Sequence, residues 1–262
     1  MNKKSDPFGS ITESIFYASI VVIAMWLVYW AEHLYRFPFH QYGVLPRSVE
    51  GLKGILFMPL LHAKNDINHI INNSFPTFVL LAAIVYFYRD VALKVFLLLW
   101  FGTGLLLWAY AQNVGAYHIG MSGVVYAMVG FVFTSGVLRK YLPLQAISLF
   151  VVFVYGNLVW GIFPMKNGVS WEGHFMGLIV GVIVAFGYRR ESVQRPKFQY
   201  EIEKEMGIEP PDLEGIYNER VRILQLEEEE RQRQQSGHVI VYHYLPDQKA
   251  TQQNDNDEQL LQ

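Results

Sequence analysis

The chain contains no cysteine, which excludes disulfides, thiolate-bound zinc and thiol catalysis. It also lacks a concentrated basic face, and its 262 residues carry a formal net charge of −2. Nucleic acid is therefore not an expected partner. Charge of either sign is scarce from about residue 14 to residue 188, whereas roughly the last 70 residues are rich in Glu, Gln, Arg, Asn and Asp. The basic N-terminus "MNKKSDPFGS" is followed by no small-residue cleavage site. The apolar run behind it is too long for a signal-peptide core, so we read it as a retained span.

What the chain does have is apolar length. Hydrophobic residues make up 52% of it, yet its mean hydropathy of +0.19 averages two unlike parts. A membrane-crossing helix needs about 20 mostly apolar residues, and six segments meet or approach that: 14–34, 69–88, 93–111, 120–138, 143–163 and 171–188. The fourth and sixth are the weakest, because they carry serine, glycine and histidine. Lys3, Lys4, Arg89, Lys94, Arg139, Lys140, Arg189 and Arg190 all fall at ends that the positive-inside rule assigns to the cytoplasm. Both termini are then cytoplasmic. The first outer loop, 35–61, carries Arg36, Arg47 and Lys53 and obeys the rule less well; its "GLKGILFMPLL" is too short to cross and suits the interface.

This organisation gives an N-terminus over 1–13, a six-span domain over 14–188 and a polar tail over 189–262. Within the tail, 212–235 reads as a charged helix after the turn pair Pro210-Pro211. "HVIVYHYL" (238–245) has strand character, and the final residues read as disordered. The tail reads as a solvated extension, with its partner, if any, unknown.

Polar groups inside apolar spans are costly and normally face the bundle interior. The second, fourth and sixth spans run in the same direction, and each carries such groups near its outer end: His69 and Asn73, then Ser122, then His174. A stripe of Gly173, Gly177, Gly181 and Ala185 on the sixth span permits close approach of a neighbouring helix. Ser122, Tyr126 and Gly130 share one face of the fourth. Close packing of these two spans brings Ser122 and His174 within hydrogen-bond reach.

A serine hydroxyl attacks carbonyl carbon only when a base accepts its proton, and histidine is the commonest base. A buried Asp to orient that histidine would be expensive in lipid; Tyr126, one turn after Ser122, is placed to orient the ring without charge. His69 and Asn73, four apart, lie on one helix face and can donate to an oxyanion, as can the Ser122 N–H near a helix N-terminus. Taken singly, His69 or Asn73 reads as interhelical glue. Gly120 and Gly123 let a substrate backbone approach. No metal site and no cofactor is expected.

On these residues the sequence resembles the rhomboid family of intramembrane serine proteases. "GMSGVVYAMVG" corresponds to the family's Gly-x-Ser-Gly helix, "GHFMGLIVG" to its His-x-x-Gly-x-x-x-Gly helix, and "HIINN" to the His-x-x-x-Asn of the second helix. The resemblance covers about residues 14–188 and implies an all-α membrane protein: a six-transmembrane-helix rhomboid-like bundle of the basic bacterial form with a short polar C-terminal tail. It implies a Ser122–His174 dyad, Tyr126 packed on the imidazole, support from Gly120, Gly123 and Gly177, and an oxyanion hole from His69, Asn73 and the Ser122 amide. The substrates it implies are single-span membrane proteins cut near the outer end of their helix, and the expected location is a bacterial cytoplasmic membrane. The Trp-Arg pair common in the family's first outer loop is absent, "LYRFPF" being the nearest segment.

The remaining candidates read as structural. Asp66 reads as a helix cap, Asn157 as a partner for a neighbouring span, and His118, just outside the membrane, as a loop residue or a substrate contact. Residues 161–171, with Pro164, Lys166 and Gly168, suit a mobile cap over the site. A transporter needs polar positions through the whole membrane thickness, and the inner halves of the fourth and sixth spans offer little beyond Thr134 and Ser135. A non-catalytic chaperone on the same scaffold is the other reading. The spans lack both His-Glu-x-x-His and Gly-x-Gly-Asp, which disfavours metallo- and aspartyl-type intramembrane proteolysis.

Overall fold

The structure is a computed structural model that describes residues 7–35, 37–154, 160–164, 170–191, 193, 199–208 and 211–237. The predicted strand at 238–245, the final residues, Asn157 and the 165–169 part of the predicted cap lie outside the described residues. The chain divides into two compact units, one ending at Pro196 and the other starting at Lys197.

The first unit is helical. Its long helices are α1 (Pro7–Tyr35), α2 (Ile67–Phe87), α3 (Ala92–Tyr110), α4 (Ser122–Leu138), α5 (Leu142–Val154) and α6 (Trp171–Gly187). α1, α2 and α3 are long and apolar enough to cross a membrane; α4, α5 and α6 are apolar but shorter, at 10–17 residues. Within the segment read as a fifth span through Phe163, Leu142–Val154 is helical, Trp160 is helical, and Gly161–Pro164 forms a turn and bend. The outward face of α1 keeps Phe16, Ile20, Ile23, Leu27 and Trp30 exposed, as expected of a helix that meets lipid on one side. Its other face buries Ala18, Met25 and Tyr29.

Polar ties fix the helix ends. Arg89, just past α2, pairs with Glu13 of α1 at 2.7 Å, and Trp26 Nε1 donates to Ser74 Oγ at 3.0 Å. Asp66 caps α2 by accepting from the amides of Asn68 and His69, as its position before the span predicted. After α4, the Arg139 guanidinium donates to the carbonyls of Tyr188 and Glu191 beyond α6 and lies over the Tyr88 ring. A charge at a helix C-terminus satisfies carbonyls that have no intrahelical partner.

The chain between α1 and α2 forms short helical turns at 39–42 and 50–60 and is sewn to the bundle through backbone acceptors. Trp108 donates to the Ser48 carbonyl, Trp100 to the Leu56 carbonyl, and Arg47 to the Ala111 carbonyl. The second unit contains α7 (Gln199–Glu205) and α8 (Leu213–Ser236). α8 begins at Asp212, which caps Gly215 N–H, and buries none of its residues.

Candidate active site

The most extensive helix–helix contact in the first unit joins α4 to α6, and glycine makes it possible. A Cβ on Gly177 would stand 2.0 Å from the Gly123 carbonyl oxygen, and one on Gly181 would stand 2.1 Å from that of Ala127. Only hydrogen fits at either position, so the two backbones touch. This contact brings together two residues that are far apart in sequence: Ser122, the first residue of α4, and His174, on the first turn of α6.

His174 Nε2 lies 2.7 Å from Ser122 Oγ. Its other nitrogen, Nδ1, lies 2.8 Å from the carbonyl oxygen of Gly161. A carbonyl only accepts, so Nδ1 carries the hydrogen. In the neutral ring Nε2 then holds the lone pair, and the serine hydroxyl donates to it. Tyr126 stacks on the imidazole with ring centroids 4.3 Å apart and planes 15° apart. The ring is thus fixed by a face and by one nitrogen, with no carboxylate involved. His174 and Tyr126 are buried, while Ser122 keeps partial exposure.

Gly120 precedes Ser122 by two residues and has φ of +110°, a conformation open to glycine but strained for other residues. A Cβ there would also come within 2.8 Å of His69 Nε2 and 3.8 Å of Ser122 Oγ. His69 and the serine therefore flank the same small space. The Gly120 N–H donates to the Met58 carbonyl at 2.9 Å, which pins the turn into α4. Because Ser122 is the first residue of α4, its N–H has no intrahelical acceptor. Asn73 is buried, and its side-chain N–H donates to the His69 carbonyl one turn back at 2.9 Å. Among the described residues no group of three or more His, Asp or Glu could hold a metal ion.

Two features escaped the sequence reading. Gly161 supplies a backbone oxygen, a group that every residue carries and no motif reveals. His62, 1% exposed, sits beside His69 with ring centroids 5.1 Å apart. Its Nδ1 donates to the Leu60 carbonyl at 3.3 Å, leaving Nε2 to accept a long hydrogen bond of 3.5 Å from the Met121 N–H.

The fold is that of a multi-pass, all-helical membrane protein with a serine and a histidine joined across two glycine-packed helices. Residues 49–191 match the profile of the family described as Rhomboid domain, more than half of the 262-residue chain, and the chain belongs to the rhomboid family. It is similar to an uncharacterized protein of Mycobacterium tuberculosis, 35% identical over 158 residues, covering 55% of this chain and 62% of the relative. An uncharacterized protein of Mycobacterium bovis matches to the same extent. A third relative, from Mycobacterium leprae, is 27% identical over 212 residues, covering 78% of this chain and 79% of the relative. The chain thus spans about three fifths of the length of the first two relatives, at 62%.

Proposed function

We propose that this protein is an intramembrane serine endopeptidase that cuts transmembrane helices near the outer membrane face. The observation that carries the reading is the 2.7 Å bond between Ser122 Oγ and His174 Nε2, made where two backbones meet along a glycine seam. A buried imidazole and a half-buried hydroxyl in an apolar bundle cost stability unless they serve each other.

Each step follows from the bonding pattern. Ser122 Oγ attacks the scissile carbonyl carbon as His174 Nε2 takes its proton; Nδ1–H, held by the Gly161 carbonyl, fixes the tautomer that leaves Nε2 free to accept. The oxyanion is stabilised by the Ser122 N–H, His69 and the second side-chain N–H of Asn73. Collapse breaks the C–N bond, and His174 returns its proton to the departing amine. Water then attacks the acyl-serine, giving a proton to Nε2, and the acid product leaves as that proton returns to Oγ. Tyr126 holds the ring plane throughout.

The length of α4 supports a site reachable by water. Its 17 residues rise roughly 25 Å, less than the ~30 Å hydrocarbon core. With its Arg139 end at the cytoplasmic face, the Ser122 end stops short of the outer surface, and Ser122 keeps partial exposure there. This reading takes the chain as six spans in a bacterial cytoplasmic membrane with both termini inside. The substrates this reading entails are single-span membrane proteins, with the bilayer as the medium of encounter.

The test compares wild type with Ser122→Ala and His174→Ala in detergent, using a fluorophosphonate probe and a transmembrane reporter. Each substitution should lower labelling and cleavage by about 10³-fold or more. Labelling that persists in Ser122→Ala refutes the nucleophile. A folded wild type that binds the reporter without cutting it points to client binding, and solute flux indifferent to Ser122 points to transport.

A further inference from the structure

We propose that His118 is a positioning residue: through Ser170 it fastens the start of α6 to the chain leading into Ser122, and so sets the alignment of hydroxyl and imidazole. The inference rests on the Ser122–His174 reading above.

His118 stands four residues before Ser122 and is 6% exposed. Its backbone pairs in both directions with Val44 of the first outer loop: its N–H donates to the Val44 carbonyl at 2.8 Å, and its carbonyl accepts from Val44 N–H at 2.9 Å. Its side chain reaches the other catalytic helix. Nδ1 lies 2.6 Å from Ser170 Oγ, and Nε2 lies 3.3 Å from the Asn113 carbonyl oxygen.

The chemistry of the partners assigns the hydrogens. The Asn113 carbonyl only accepts, so Nε2 carries the hydrogen and Nδ1 accepts from the Ser170 hydroxyl. The Ser170 oxygen keeps a lone pair for the Gly173 N–H at 3.3 Å, which makes it the cap of α6. One serine thus closes the chain Gly173 N–H to Ser170 Oγ, Ser170 O–H to His118 Nδ1, and His118 Nε2–H to Asn113 oxygen. Burial holds the His118 pKa below the ordinary histidine value, against the opposing pull of the Asn113 carbonyl and Glu172, in keeping with a neutral ring. A second tie lies beside it: Glu172 accepts from Gln112 N–H at 2.6 Å. Both ties grip the start of α6 within four residues of His174.

Such a clasp answers a weakness of the glycine seam. Glycines let α4 and α6 approach, but they offer no side-chain knobs to resist axial slip. A reacting pair displaced by about 1 Å loses on the order of 10²-fold in rate. The seam sets the distance between the helices, and the clasp sets their register.

The experiment measures the fluorophosphonate labelling rate of Ser122, together with kcat and KM on a transmembrane reporter, in the full chain. His118→Phe keeps ring volume without polar atoms and should lower labelling and kcat about tenfold, with KM within about twofold. His118→Asn, whose amide sits at the Nδ1 position and can accept from Ser170, should stay within about threefold of wild type, whereas His118→Gln, whose longer amide reaches the Nε2 position beside Asn113 instead, should not. If His118→Phe fails to fold, the Asn and Gln variants decide the matter. Equal rates for those two, or a wild-type rate in His118→Phe, overturn the clasp while leaving the dyad intact. A wild type that never labels overturns the dyad reading and this inference with it.

Discussion

At the scale of single residues, uncharged groups hold the histidine that a carboxylate holds in soluble triads. His174 is fixed by a tyrosine face and a carbonyl oxygen, neither of which carries a charge that lipid would penalise. Gly161 is confined by that arrangement, since a Cβ there would fall 2.1 Å from Tyr126 Oη and 3.0 Å from His174 Nδ1. His62 follows the same logic outside the spans. Burial, with His69 beside it, pushes its pKa down from 6.5 to about 3, while the Leu60 carbonyl pulls upward. Between those values the unfolded chain binds a proton that the folded chain refuses. The stability that depends on neutral His62 is therefore whole above pH 6.5 and lost as pH falls toward 3. The melting temperature in detergent should drop from pH 7 to pH 4.5, and His62→Gln should remove about 2 kcal/mol of that dependence. An unchanged pH slope in the variant counts against it.

At the scale of elements, the α4–α6 pair brings Ser122 and His174 together. Gly177→Ala places a methyl on the Gly123 carbonyl and should force the helices apart, at a cost of about 1–3 kcal/mol and with loss of labelling. Gly187, at the end of α6, has nothing within 4 Å of a Cβ. Gly187→Ala should leave both stability and labelling near wild type, and equal melting curves for the two variants would refute the seam. The stripe was legible in the sequence because glycine every four residues in an apolar helix has few other uses. The hold of the Gly161 carbonyl on His174 was not legible, because every residue carries a backbone oxygen and no motif marks the one that is used.

At the scale of the whole molecule, Ser122 and His174 both lie in the unit ending at Pro196. α8 buries nothing, so no core depends on it. A chain truncated after Pro196 should label with fluorophosphonate within about twofold of the full chain; this range reflects the small cost of losing exposed surface. Collapse of the truncated protein in size-exclusion chromatography would show the tail to be integral. The ties between the chain joining α1 to α2, α3 and the chain before α4 run mostly through backbone carbonyls. No composition or motif records them.

The sequence by itself determined the apolar segments, the serine and histidine set within them, and the glycines that let their helices meet. Each of these is a local departure from what hydrocarbon tolerates, visible without coordinates. Only the tertiary structure decided which backbone oxygen holds His174 and which loop histidine clasps Ser170. Those choices depend on groups 13 and 52 residues apart in the chain, and hydrogen bonds of that kind are specified by packing rather than by any residue's own chemistry.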